Sequence, residues 1–170
     1  MEDDSSLIEG LKNDPLSIID EKPELTTLVL ATKLQKEDKP PVILGCGSNV
    51  LFSSKGILNP VIYTGKMTAI FNMVHFIEVE AGFRVQALSK FALEKKLTGF
   101  EFLIGIPASL GGAIYMNAGA HNQTISDNLI SAKVYDCENN KVLTLRKEQF
   151  NFSYRHSILQ EKPYILLSAR

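Results

Sequence analysis

Cysteine is scarce in this chain: Cys46 and Cys137 stand far apart and form none of the clustered spacings of a zinc site or a disulfide framework. A reducing, cytoplasmic setting is the expectation. Histidine is equally sparse, and His75, His121 and His156 are scattered without ligand spacing, so no metal is expected. Neither sign of charge dominates. The 18 Lys and Arg against 19 Asp and Glu leave a net charge of -1, which gives no electrostatic footprint for DNA, RNA or an anionic membrane. No apolar run approaches bilayer length, and the start, Met1-Glu2-Asp3-Asp4, is acidic where a secretory signal would be basic. Repeats and low-complexity tracts are absent as well.

What remains is enough for one compact core: 170 residues, 45% hydrophobic and 22% charged. The apolar pattern switches between strand and helix periods, which predicts an α+β domain with two lobes. Residues 16–19 read as a short strand. After Pro23, residues 24–34 read as a helix that runs into the charged stretch 36–39 and is stopped by Pro40-Pro41. Val42-Ile43-Leu44 is wholly apolar and predicts a buried strand delivering the chain to a ligand loop. Residues 61–63 make another strand. Ile77, Val79 and Ala81 alternate with Glu78 and Glu80, giving a strand with one buried and one wet face. Val85, Leu88, Phe91 and Ala92 then fall at helical spacing, with the helix ending near Gly99. Ile130, Ala132 and Val134 alternate with polar neighbours, and an Asn139-Asn140 turn leads back through residues 142–145 as an antiparallel hairpin. Residues 164–167 form a last apolar strand. Because Arg170 follows it so closely, a further part of the protein is expected beyond it.

Two segments carry chemistry. Gly45-Cys46-Gly47-Ser48-Asn49 combines flexible and polar residues, so its backbone N–H groups can turn inward toward a diphosphate. An ordinary tight turn would use the same residues. The segment has neither the Gly-x-x-x-x-Gly-Lys signature of a P-loop nor the third glycine of a Rossmann fingerprint. Residues 105–120, Gly-Ile-Pro-Ala-Ser-Leu-Gly-Gly-Ala-Ile-Tyr-Met-Asn-Ala-Gly-Ala, are more informative. Ser109 can cap a short helix whose free N–H groups favour a phosphate, and Gly111 and Gly112 leave room for a flat ligand. Close helix packing would explain the glycines but not the polar Asn117 among them.

Both segments resemble those of the UDP-N-acetylmuramate dehydrogenase family, also called UDP-N-acetylenolpyruvoylglucosamine reductase. Its members carry a Gly-x-Gly-Ser-Asn loop, then Gly-Ile-Pro-Gly/Ala-Ser/Thr-Val/Leu-Gly-Gly-Ala, then Met-Asn-Ala-Gly, and later Tyr-Arg-x-Ser, matched here by Tyr154-Arg155-His156-Ser157. The resemblance runs from about Leu16 to the C-terminus. It implies a two-lobed FAD-binding domain over residues 1–170, with a small βαβ-type lobe over about 15–65 and an antiparallel sheet with helices over about 66–170. The substrate domain that follows in the family is absent from this sequence.

The same resemblance implies non-covalent FAD held through Gly45, Cys46, Gly47, Ser48, Asn49 and Val50 of the first loop. Ile106, Pro107, Ala108, Ser109, Gly111, Gly112 and Ala113 of the second segment would share the diphosphate, with Asn117, Ala118 and Gly119 near the flavin. NADPH would be the electron donor and a UDP-sugar the substrate, in peptidoglycan synthesis. Arg155 matches the arginine that meets the substrate carboxylate and stabilises developing enolate charge, a role suited to a permanent cation. Tyr154 would help to position substrate. The family's general-acid serine and its C-terminal glutamate have no counterpart here, and Ser157 is too close to Arg155 to replace that serine. The usual Thr-x-x-x-x-Gly-Gly opening is also missing, and Cys46, read as packing, replaces a common glycine. A non-catalytic flavin or nucleotide-binding module is the alternative, and another oxidoreductase of the same superfamily the third.

Overall fold

A computed structural model describes residues 18–19, 33–34 and 40–170 of the chain. Three strands form one parallel sheet in the order β1-β3-β2: β1 (Ile18–Ile19), β2 (Val42–Leu44) and β3 (Val61–Tyr63). The helix expected over 24–34 lies outside the described residues except at Lys33 and Leu34, which are helical. β2 leads into the glycine loop, as expected, but it is not buried: among the described residues it is an edge strand, paired only to β3, and Ile43 is exposed.

The larger sheet is antiparallel, in the order β4-β5-β10-β8-β9. It comprises β4 (Ile70–Asn72), β5 (Ile77–Glu80), β8 (Ser131–Asp136), β9 (Lys141–Arg146) and β10 (Tyr164–Ala169). The last strand in sequence is therefore central in space. Both of its faces are covered, so successive residues Ile165 and Leu166, on opposite faces, are both buried. Leu166 and Val134 face the main core with Val85, Leu88, Leu103, Ala113 and Ile114. On the other face Ile165, Tyr135 and Cys137 pack with Ile62 of β3, which joins the parallel sheet to the back of the antiparallel one. Burial, then the neighbouring Asp136 charge, pushes the Cys137 thiol up to about 11, so this cysteine is inert packing. The result is the two-lobed α+β architecture.

Helix α1 (Val85–Glu94) turns Val85, Leu88 and Ala92 inward, but it stops before Gly99. Lys96 takes the left-handed conformation (φ 57°), and bonds from Leu97 N–H to Ala92 O (2.8 Å) and Lys96 N–H to Leu93 O (3.0 Å) close a Schellman motif. A lysine thus occupies the position at which glycine is the usual marker. Two shorter helices follow, α2 (Leu110–Tyr115) and α3 (Ile125–Asn128), separated by a small hairpin of β6 (Gly119–Ala120) and β7 (Gln123–Thr124).

Glu78, expected on a wet face, is instead a tie between three strands. Its carboxylate accepts from Lys133 Nζ at 2.8 Å, Ser168 Oγ at 3.1 Å and Arg170 Nε at 2.9 Å, with its side chain only 18% exposed. The Lys133 bond, supported by Arg170 and Ser168 and opposed by desolvation, holds this carboxyl below its usual value. A lowered folded pKa contributes stability above the unfolded pKa and loses it as pH falls through the folded one. Glu78→Gln is accordingly expected to destabilise the protein by about 1–2 kcal/mol at neutral pH. In urea unfolding the gap from wild type should close below the usual carboxylate range; a pH-independent gap would rule out an ionic origin.

Candidate functional site

Leaving β2, the first glycine loop folds back onto the second motif. A Cβ on Gly45 would overlap Ser109 Oγ and lie 3.2 Å from Ser109 Cβ, so only glycine permits this approach. Beside it, the Cys46 thiol is 3.5 Å from the Pro107 carbonyl, 61 residues away in sequence, and 3.5 Å from Ser48 Oγ. Partial burial pushes this thiol up, but hydrogen bonds from the Ser48 hydroxyl and the Ser48 and Ser109 backbones, with the Arg84 charge, hold it below its ordinary value. Gly47 (φ 73°) turns the loop with no atom near its Cβ position, and Gly47, Ser48, Asn49 and Val50 are exposed. The backbone N–H groups of residues 46–50 donate no hydrogen bond to other backbone among the described residues. Ser48 N–H leans on the Cys46 sulfur, and the others are donors on an exposed, turning backbone, the arrangement that binds anions.

The start of α2 differs from the sequence expectation. Ser109 does cap the helix, accepting from Gly112 N–H at 3.3 Å. The other leading N–H groups, however, are not free. Leu110 N–H donates to Phe83 O (2.8 Å), Gly111 N–H to Ala81 O (2.7 Å) and Ala113 N–H to Ser109 O (2.8 Å). The segment between β5 and α1 lies against this helix end, bridged at Arg84 and Ser109, and its carbonyls take the place of an anion. The loop after β2, not the α2 terminus, supplies the unused donors.

The glycines of the motifs therefore divide by role. Gly45 allows the loop contact, Gly111 packs on Ala81, where a Cβ would come within 3.2 Å of its carbonyl, and Gly119 packs against Gln123 and Thr124 of the hairpin. Gly112 faces outward and its Cβ position meets only Ser109 Oγ, at 3.3 Å, leaving room above the helix. Ile106 and Ala108 are half-buried and Pro107 is exposed, whereas Ala113 and Ala118 point into the core.

At the other end of α2, about 9 Å along six residues at 1.5 Å each, lies Asn117. It is 8% exposed and left-handed (φ 42°); its Nδ2 donates to Ser153 O at 2.9 Å, while its Oδ1 is buried without a partner. Ser153 opens the tight turn that carries Tyr154, 90% exposed, and Arg155 (φ 56°), whose guanidinium lies 5.6 Å from the Tyr154 ring centroid. Ser157 is fully buried and donates to Tyr115 O at 2.9 Å, a structural use that agrees with its exclusion as an acid. Gln160, which carried no signal in the sequence, donates to both Tyr115 O (2.8 Å) and Arg155 O (3.1 Å). His121 is an exposed residue of the β6–β7 turn. Among the described residues no group of His, Cys, Asp and Glu could hold a metal, and no helix is long and apolar enough to cross a membrane. A cavity of about 730 Å³ between the β4–β5 turn and the C-terminal end of α1, lined by Met73, Phe76, Leu97 and Ile130 among others, contains none of the predicted site residues.

A family model described as an FAD binding domain matches residues 27–146. The chain belongs to this FAD-binding domain family. It is 42% identical over 156 residues to a UDP-N-acetylenolpyruvoylglucosamine reductase of Caldanaerobacter subterraneus, covering 92% of this chain and 51% of that one. A protein of the same name from Lactococcus lactis is 40% identical over 141 residues, with 83% and 47% covered. The chain thus spans about half the length of these relatives. The crystal structure of the Thermus caldophilus reductase superposes with a TM-score of 0.73 at 30% identity, over 86% of this chain and 52% of that one. A glucose dehydrogenase, Phl p 4, shares the fold alone, at 13% identity and a TM-score of 0.61.

FAD fits the residues present. The free N–H groups of the first loop suit a diphosphate, the open face at Gly112 admits a flat ligand, and the orphaned Asn117 Oδ1 is a buried acceptor that needs a donor.

Proposed function

We propose that this domain binds FAD between the first loop and α2 and serves as the flavin half of a UDP-N-acetylenolpyruvoylglucosamine reductase. The observation that carries the reading is the convergence of both glycine segments at one end of α2 and of Asn117 and the Tyr154–Arg155 turn at the other. When bound, FAD would accept a hydride from NADPH and pass it to the enolpyruvyl double bond of the UDP-sugar. The chain's own residues orient and polarise. N–H groups of residues 46–50 hold the diphosphate, Gly112 leaves space beside it, and Asn117 fixes the flavin end. Arg155, exposed and without an ion pair among the described residues, meets the substrate carboxylate and stabilises the charge that develops there. Tyr154 offers its ring beside it. Proton delivery is assigned to no residue of this chain, and the reaction belongs to the cytoplasm.

The test is the visible spectrum of the purified protein before and after FAD addition and desalting, followed by NADPH under anaerobic conditions. A retained flavin that NADPH bleaches supports the reading. A folded, colourless protein would replace it with a remnant that keeps the fold without the cofactor. Arg155→Ala should retain FAD with affinity within about threefold of wild type, since the side chain is exposed at the substrate end. The same change, made in the reductase completed by its substrate half, should lower turnover by about 100-fold or more. Loss of FAD in this variant would show that Arg155 belongs to the cofactor site.

A further inference from the structure

We propose that Gln160 is a positioning residue for Arg155, and that Gln160 and Asn117 together couple occupancy of the FAD site to the order of the Tyr154–Arg155 turn. The coupling rests on the FAD reading above; the positioning role does not.

Arg155 is a non-glycine residue with a positive φ of 56°, a conformation that a short exposed turn does not hold by itself. Within the turn the two bonds between Ser153 and His156 are both long, at 3.3 Å. The hold comes from outside. Gln160 Nε2 has two N–H groups and gives them to Arg155 O (3.1 Å) and Tyr115 O (2.8 Å). The Tyr115 carbonyl lies at the last residue of α2, where helix carbonyls lack an internal partner, and it accepts a second bond from Ser157 Oγ at 2.9 Å. On the other side Asn117 Nδ2 grips Ser153 O at 2.9 Å. Three side chains therefore fasten the backbone on both sides of Tyr154 and Arg155 to the C-terminal end of α2. The two side chains so presented are exposed and have no other anchor among the described residues than each other.

Asn117 links this clamp to the cofactor. One atom of its amide holds the turn, and the other is buried and unpartnered. A donor at Oδ1 from bound FAD would fix the amide plane and with it the Ser153 bond. An empty site leaves the amide free to rotate and the turn free to open.

An arginine-specific protease reads the turn directly, because a cut after Arg155 needs it to open, while the cut after Arg146, also exposed and outside the residues assigned to FAD, serves as the internal reference. In the full chain, FAD should slow the Arg155 cut by about tenfold relative to the Arg146 cut. Gln160→Leu, at an exposed position, should retain flavin on a desalting column yet speed the Arg155 cut about tenfold without FAD and show less than twofold protection with it. Gln160→Glu, which sets an acceptor against two carbonyls, should behave alike, and Gln160→Lys, which keeps a donor at similar reach, should restore much of the wild-type rate. If wild type retains FAD and the Arg155 cut is indifferent to FAD, the coupling is wrong. If the Leu and Glu variants cut at the wild-type rate without FAD, the positioning role is wrong. Failure of wild type to retain FAD would instead overturn the cofactor reading and the coupling with it, leaving Gln160 to be judged on the FAD-free rates.

Discussion

Gly45→Val is expected to abolish FAD retention while leaving a folded protein. The added Cβ would overlap Ser109 Oγ, and Ser109 cannot yield easily, since it is 2% exposed and caps α2. The loop must swing away instead. That movement takes the Cys46 thiol off the Pro107 carbonyl and the free N–H groups of residues 46–50 away from Gly112. Losing two charge-assisted bonds to a diphosphate costs about 3–6 kcal/mol, which weakens FAD binding by more than 100-fold. Because the loop is exposed and follows an edge strand, the core is spared and the melting temperature should move by only a few degrees. The spectrum after desalting and a calorimetric titration read the two effects separately. A variant that stays yellow would mean that the diphosphate lies elsewhere. Gly47→Ala is a useful contrast, because it meets no atom and suffers only the left-handed φ of 73°, a cost of about 1 kcal/mol.

The sequence was most legible where periodicity and burial agree. The alternation around Val79, the hairpin through Asn139-Asn140 and the final apolar run are all strands of one sheet, because each pattern is the direct imprint of which faces are covered. Legibility failed where the partner of a group is set by tertiary contact. The wholly apolar β2 reads as buried, yet it lies at a sheet edge. β4 is three residues long and carries no alternation to detect. Lys96 ends α1 through a conformation that glycine would have announced.

The candidate site follows the same division. Asn117 stood out as a polar residue among small ones, and its orphaned oxygen gives that oddity a physical content. The donors at the start of α2 seemed available because a helix leaves its first N–H groups unbonded. Nothing local says that the carbonyls of Ala81 and Phe83 occupy them. Gln160 left no trace because a side chain that clamps two carbonyls has no spacing rule. Its partners, Tyr115 and Arg155, come together only once α2 and the turn are docked.

That dependence of the site on long-range seating is sharpest at Gly82, where Gly82→Ala is expected to destabilise the whole domain by about 3 kcal/mol. The chain leaves β3 through a turn in which Met67 N–H donates to Thr64 O, and this turn rests on Gly82, whose N–H donates to Met67 O at 2.9 Å. A methyl group at this buried glycine would overlap the Thr64 carbonyl oxygen and come within 2.9 Å of the Met67 oxygen. Both obstacles are backbone, so no rotamer change relieves them and the turn itself must move. Thr64 is also bonded through its N–H and hydroxyl to Leu44 O, so the displacement reaches β2 and the loop that begins at Gly45. A loss of about 3 kcal/mol lowers the melting temperature of a domain this size by about 6–12 °C. FAD should weaken in parallel, because its loop hangs from the displaced strand. Gly105→Ala, where an added methyl meets nothing within 4 Å, should move the melting temperature by less than about 2 °C. A Gly82→Ala protein that melts with wild type would mean that residues 64–67 yield freely, and that the first loop is not held in register with α2 through this contact.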